Sequence, residues 1–518
     1  MAYNHEWSLP HGLVLIREAT RIDNFFYMLT LTGSQAPIIV AASYTSNDSL
    51  KKLSRDRVIR AIERVVAKQP ALGQVFVRQP SKRGKDQLWI ARLPSLNAED
   101  CISFIDHDEK DPAEASRWML ENIMGQWFDL LDTSKPYWRA TVVNMKTIYF
   151  AFNHIVCDGR SGIYFHRDLL TALNDIEDQK AVSAPQHFVT CTDAFPDHFE
   201  EMIAKHTTSY LFWFVIKYLL QIIVEFFLWP KYIAFGDMKK YPIKPDIKRM
   251  APPEERIKNK IVSLRIKPKT MQKILTECRT KSTTFTAFLD TVLNTSICAD
   301  IYPGALIVRT GIVVDFRSFC KWPYEEVMCN MAGSWTKLRW TRPFFAIGRP
   351  TPAAEVGSNL EDGEINTDIP AFWAMAKHRK DHMNKYLKWG AIQEFLALAV
   401  TPSYIDDFTY QIWGKSLSTT RNYTSQISNL VSLMPREADK AREWRFTDTD
   451  WASSTHRTCI GPSLNITVTS APDADCVINF IYIEGSYDPE AIPRIVQVAK
   501  ARIGQIIGDR GEGLTMRA

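Results

Sequence analysis

Between Tyr149 and Leu170 the chain reads YFAFNHIVCDGRSGIYFHRDLL. An apolar run enters Asn153 and His154. A short turn holding Asp158 and Gly159 follows, and apolar residues then recur at helical spacing through Ile163, His166, Leu169 and Leu170. A strand, a tight turn and a helix in immediate succession require a fold in which strands and helices pack as layers. That arrangement holds a polar side chain at the strand's C-terminal end, facing a crevice. Histidine suits general-base work there, because its unperturbed pKa lies near neutrality. A nearby carboxylate such as Asp158 fixes the ring or braces the turn. Gly159 suits a turn that needs positive φ or a close backbone approach, and Ser161 is placed to cap the helix. By its residues alone, a histidine followed four positions later by an aspartate is more often a structural pair than a catalytic one.

Apolar, β-branched runs predict further strands at Pro37–Tyr44, Thr147–His154, Ala305–Phe316, Leu464–Ser470 and Cys476–Ile483. Helical periodicity predicts helices over Leu50–Ala67, Ser161–Leu173, Thr283–Asn294 and Pro489–Ile507. The irregular alternation fits an α/β or α+β fold. With 518 residues the chain calls for two large domains or more. The stretch Lys239–Lys260 holds Pro242, Pro245, Pro252 and Pro253 among many charges, and predicts an extended, solvated crossover. It divides the chain into 1–238 and 261–518. Residues 349–368 form a second polar stretch, expected as a surface loop.

An apolar share of 46% and a charged share of 23% exclude disordered and collagen-like classes. A net charge of +5 is too small and too spread for a nucleic-acid binder, although mild attraction to a polyphosphate ligand remains compatible with it. Nine cysteines form no CxxC pair and no zinc spacing, which predicts free thiols in a reducing compartment and no metal site. The N-terminal residues lack a charged region followed by an apolar one, so no signal peptide is expected. There is no GxSxG elbow, Walker loop or dinucleotide fingerprint. His378 and His382, in HRKDH, are expected on a solvated helix face, and His166 is expected to be structural.

Ser209–Pro230 is unusually apolar, with Lys217, Gln221 and Glu225 recurring every four residues as one polar stripe. Charges near a bilayer centre cost roughly 3 kcal/mol each, which argues against a span. The reading is an amphipathic helix, packed on the protein or lying at a membrane surface.

The sequence resembles the fungal alcohol acetyltransferases within the HxxxD acyltransferase superfamily, which includes chloramphenicol acetyltransferase, the plant BAHD enzymes and peptide-synthetase condensation domains. The resemblance rests on REATRIDNFF (Arg17–Phe26) with AASY (Ala41–Tyr44), HIVCDGRSGIYFHRDLL (His154–Leu170), STTFTAFLDTVL (Ser282–Leu293), VVDFRSF (Val313–Phe319), ISNLV (Ile427–Val431) and GPSLNITVTS (Gly461–Ser470). Asn153 stands where condensation domains carry a first histidine, and DFRSF replaces the plant DFGWG. Both departures favour the alcohol acetyltransferase branch.

The resemblance implies two chloramphenicol acetyltransferase-like domains, each a mixed sheet packed with helices, with the active-site channel between them. It implies an O-acyltransferase that moves acetyl from acetyl-CoA, a co-substrate and not a bound cofactor, to a hydroxyl of a small apolar acceptor. A terpenoid or polyketide alcohol is the favoured acceptor and a short volatile alcohol the alternative. A thioester hydrolase and a non-catalytic binding protein are further alternatives on the same fold. His154 would be the base, and Asp158 would turn from the chemistry to pair with Arg317 and, with Gly159, brace the turn. Ser425, Ser428 and Asn429 are the oxyanion or substrate candidates. A monomer in the cytoplasm is expected, peripheral to the endoplasmic reticulum or lipid droplets if Ser209–Pro230 meets lipid.

Overall fold

The computed structural model describes residues 9–48, 51–80, 84–108, 111–177, 184–196, 246–319, 326–348, 365–389, 423–457, 461–508 and 512–517. The apolar stretch Ser209–Pro230 lies outside them, as do 239–245 and 349–364. No helix among the described residues is long and apolar enough to cross a membrane.

Two mixed sheets organise these residues. The first has five strands in the order Trp444–Ala452, Ile38–Ser46, Thr147–Phe152, Trp138–Val143 and Ile102–Ile105. The second has seven, in the order Ala332–Trp340, Ile307–Asp315, Tyr423–Ser432, Pro462–Ser470, Cys476–Ile483, Asn259–Ile266 and Leu514–Arg517. Trp444–Ala452 comes from the second half of the chain yet pairs antiparallel with Ile38–Ser46. The division between sheets therefore differs from the division of the chain at 239–260.

The run TIYFAF shows why the first sheet is a middle layer. Strand side chains alternate between faces. Ile148, Phe150 and Phe152 enter the core beneath the helix Gly159–Asp175. Tyr149 and Ala151 enter a separate core with Met119 and Leu120 of the helix Pro112–Met124 and with Ile261 and Ile481 of the second sheet. One face packs its own helices and the other meets the second lobe, so both need apolar residues and the strand reads as a continuous run.

The helix Gly159–Asp175 lies against the sheet through Phe165, whose ring stacks on Phe150 at 3.8 Å, and through Gly162. A Cβ at Gly162 would come 2.3 Å from Val40 Cγ2, so only glycine allows this approach. His166 is fully buried, as a structural histidine should be. Its Nδ1 lies 2.7 Å from the Tyr44 hydroxyl and its Nε2 2.9 Å from the Val40 carbonyl. Burial lowers its pKa to about 4.

The unfolded chain takes up this proton near pH 6.5 and the folded chain only near 4, so the unfolded state binds more protons between those values. Stability should be complete above pH 6.5 and fall by about 3 kcal/mol as pH drops to 4. Denaturant melts across that range check this. His166→Gln should flatten the slope, and an unchanged slope would assign acid sensitivity to other groups.

Several expectations need correcting. The cap of the helix after His154 is Asp158, not Ser161: the Asp158 carboxylate accepts from the Ser161 amide at 2.9 Å, and the helix starts at Gly159. The described part of the expected solvated crossover, residues 246–260, is exposed at Asp246, Lys248, Arg249, Pro253, Glu254 and Lys258 but anchored at two points. Ala251 and Ile257 are buried, and their amides donate to the carbonyls of Leu31 and Gly33. His382 does not lie on a freely solvated face, because the helix Ile369–Trp389 turns it onto the ring of Trp335 at 5.5 Å. The remaining predicted elements lie within a few residues of the observed ones, except that Leu50–Ala67 begins at Arg55, where Ser54 caps it.

Candidate active site

In the turn after Thr147–Phe152, Asn153 and residues 155–158 are buried and His154 is partly exposed. Asn153 builds the turn. Its side-chain oxygen accepts from the Ile155 amide at 3.0 Å, its side-chain amide donates to Thr30 at 2.9 Å, and its carbonyl accepts from the Val156 amide at 3.0 Å. With its hydrogen-bonding groups engaged, Asn153 forms the hinge that presents the neighbouring imidazole.

The His154 ring stacks on Phe26 of the helix Arg21–Leu31, centroids 4.0 Å apart and planes 24° from parallel. Thr20 and Asp23 form a reciprocal capping box at that helix's start, with Arg17 3.8 Å from the Asp23 carboxylate. Asn330 donates to the His154 carbonyl at 2.7 Å. Burial lowers the His154 pKa, against upward pulls from the local backbone and from the Asp158 charge. Burial thus favours the neutral ring, the form able to accept a proton. A small cleft of about 50 Å³ opens beside the turn, lined by Thr20, Asp23, Ile155, Val156, Met328 and Asn330 among others.

Asp158 turns into the protein. Arg317 grips its carboxylate from two nitrogens, at 2.8 and 3.1 Å. The Met331 amide donates at 2.8 Å and the Ser161 hydroxyl at 3.0 Å. Both charged side chains are at least 95% buried. Burial alone would raise the Asp158 pKa, but the Arg317 charge and these hydrogen bonds outweigh it and hold the carboxyl below its usual range. Arg317 also donates to the Cys329 carbonyl at 2.8 Å, which ties 328–331 to the turn and brings Asn330 to His154. Gly159 has no positive φ. Its need is close packing, since a Cβ there would lie 2.9 Å from Trp451 and 3.1 Å from Leu430.

Ser425, Ser428 and Asn429 lie on Tyr423–Ser432, which runs parallel to both its neighbours. Asn429 is engaged: its amide donates to Thr286 at 3.1 Å and its oxygen accepts from the Val431 amide at 2.8 Å, where the strand bulges. Ser425 and Ser428 are buried within the strand. This strand reaches the turn after His154 through Leu430 beside Gly159, but no described contact joins the three candidates to His154.

Sequence reasoning missed Phe26 and Asn330. Both act across the tertiary fold, and only the presence of Phe26 within REATRIDNFF hinted at its importance. Among the described residues no cluster of His, Cys, Asp and Glu could hold a metal ion, and seven cysteines are free thiols.

A family model described as alcohol acetyltransferase matches residues 98–315, a span that holds His154, Asp158 and Gly159. A curated relative, the probable alcohol acetyltransferase FCK4 of Fusarium pseudograminearum (strain CS3096), is 26% identical over 280 residues. That alignment covers 51% of this chain, and the chain spans about half the length of the relative, 52%. By fold the chain is similar to the TRI3 trichothecene 15-O-acetyltransferase from Fusarium sporotrichioides, with TM-score 0.64, 11% identity, and 96% and 95% of the two chains covered. It is also similar to the first condensation domain of the calcium-dependent antibiotic synthetase, with TM-score 0.57, 13% identity, and 97% and 99% covered. The chain resembles the alcohol acetyltransferase family in sequence across residues 98–315 and shares, over nearly its whole length, the two-lobed fold of O-acetyltransferases and condensation domains.

Proposed function

We propose that this chain is an O-acyltransferase that moves an acetyl group from acetyl-CoA to a hydroxyl of a small apolar acceptor, with His154 as general base. The observation that carries the reading is His154 itself, partly exposed at the head of an otherwise buried turn and stacked on Phe26. Relatives named for alcohol and trichothecene acetylation support a hydroxyl acceptor, and a fungal terpenoid or polyketide alcohol fits their pattern.

In this mechanism His154 removes the acceptor's hydroxyl proton as the oxygen attacks the thioester carbonyl. The tetrahedral intermediate collapses, the C–S bond breaks, and the imidazolium returns the proton to the departing thiolate. The products are an ester and free CoA, with no acyl-enzyme. Holding both substrates in register supplies much of the rate, and the base contributes roughly 10²–10⁴-fold. Asp158 and Arg317 fix the turn and touch neither substrate. The Ser425 and Ser428 hydroxyls are the candidate donors to the oxyanion.

The pH profile of kcat/KM tests the base. Burial lowers the His154 pKa, so activity should be full near pH 7 and fall on the acid side with an inflection below 6.5. A rate that does not fall at any acid pH where the protein stays folded would remove His154 from this role.

The chain is proposed to work in the cytoplasm, with Ser209–Pro230 meeting a lipid surface where an apolar acceptor would concentrate. Vesicle flotation should carry the wild type, and replacing Phe212, Leu219 and Phe226 with serine should release it without lowering Tm. A wild type that ignores vesicles would end this part of the proposal.

A further inference from the structure

Far along the second lobe, a group of cations gathers around a single carboxylate. Trp335, Lys337 and Arg339 share one face of the edge strand Ala332–Trp340. Asp290 of the helix Phe285–Ser296, and Arg379 and His382 of the helix Ile369–Trp389, pack onto that face. Asp290 is 1% exposed, and Arg379 binds it through its guanidinium. Arg339 lies 3.8 Å from the same carboxylate, in ion-pair range but too far for a hydrogen bond. Both guanidinium groups sit over the Trp335 ring, at 5.6 and 5.5 Å, and the His382 ring stacks on it. The Lys337 ammonium touches His382 Nε2, and Lys385 adds further positive potential.

The balance of this cluster is incomplete. The Arg339 side chain is 91% buried by its 9% exposure. None of its three nitrogens, Nε, Nη1 or Nη2, has a hydrogen-bond partner. A guanidinium carries five N–H donors and no acceptor, and leaving them unmade in the interior is costly. Asp290 is shared with Arg379, so among the described residues one carboxylate faces two guanidinium groups and an ammonium. Lys337 and His382 are partly exposed and form the solvent edge of the cluster. An anion with several oxygens at that edge would meet Lys337 and His382 directly, offset the excess charge, and supply acceptors to Arg339, whose nitrogens are covered, once that side chain turns toward it. The planar fork of arginine matches phosphate geometry, and lysine serves phosphate as a point charge.

We propose that Lys337, Arg339, Arg379 and His382, on the Trp335 platform, form a binding site for a phosphate-type anion, either free phosphate or a phosphoryl group of a larger ligand. The site shares no residue with the turn at His154 and does not depend on the acyl-transfer reading.

Calorimetry and thermal melts of the full chain with inorganic phosphate, against chloride at matched ionic strength, test the proposal. The wild type should bind phosphate saturably and show a raised Tm. Arg339→Met keeps volume and removes the charge, and Lys337→Gln changes a partly exposed position that should not threaten folding. Each should weaken phosphate binding at least tenfold. Competition by CoA but not by 3′-dephospho-CoA would identify the CoA 3′-phosphate as the source, competition by both would identify its diphosphate, and competition by neither would identify free phosphate. A wild type with no saturable response beyond chloride overturns the site. So does Lys337→Gln binding phosphate as tightly as the wild type, whatever the folding of Arg339→Met.

Discussion

His154→Ala should lower kcat by roughly 100-fold or more while the protein stays folded, since loss of a general base costs on that order. The backbone of the turn is held by Asn153, Asn330 and the cap at Asp158, none of which uses the imidazole. Removing the ring should therefore leave Tm within a few degrees and CoA binding largely intact, apart from the lost stack on Phe26. Steady-state kinetics beside a thermal melt check both halves. A variant that keeps more than about a tenth of kcat is incompatible with His154 as the base.

Asp158→Ala and Arg317→Ala should each destabilise the chain by about 3–5 kcal/mol, because either change leaves a buried charge without its partner. The double variant should cost clearly less than the sum, as expected for two groups joined by paired hydrogen bonds. Denaturant titration of the four proteins closes the cycle. Activity should fall in all three variants even where they fold, since the same carboxylate holds the Met331 amide and the helix that begins at Gly159. Strict additivity would mean that Asp158 and Arg317 act independently and that the pair does not brace the turn.

The residues around His154 show what a sequence discloses and what it withholds. The run TIYFAF announced a strand, and the spacing after it announced the helix. The choice of cap was misread because DGRS offers both an aspartate and a serine. Asp158 takes the role because Arg317 and Met331, from a distant segment, fix its carboxylate at the helix start. No local pattern pointed to Arg317, and its place came with the resemblance of DFRSF. The Phe26 stack and the Asn330 bond depend on a helix and a loop from distant parts of the chain.

The strand Trp444–Ala452 was not foreseen, since Thr447, Asp448, Thr449 and Asp450 break the apolar pattern. Asp450 is nevertheless buried, held by Asn479, Ser116 and Arg265. HRKDH read as a solvated face because its charges dominate locally. Arg379 and His382 are drawn inward by Asp290 and Trp335, which lie on other elements.

Mass spectrometry of products after incubation with acetyl-CoA and a panel of apolar alcohols, terpenoid and polyketide among them, tests the central claim most directly. The account predicts an acceptor whose mass rises by one acetyl group, with one free CoA released per ester formed and neither product appearing with His154→Ala. Release of CoA and acetate at the same rate with or without any alcohol would make the chain a thioester hydrolase and contradict transfer to a hydroxyl.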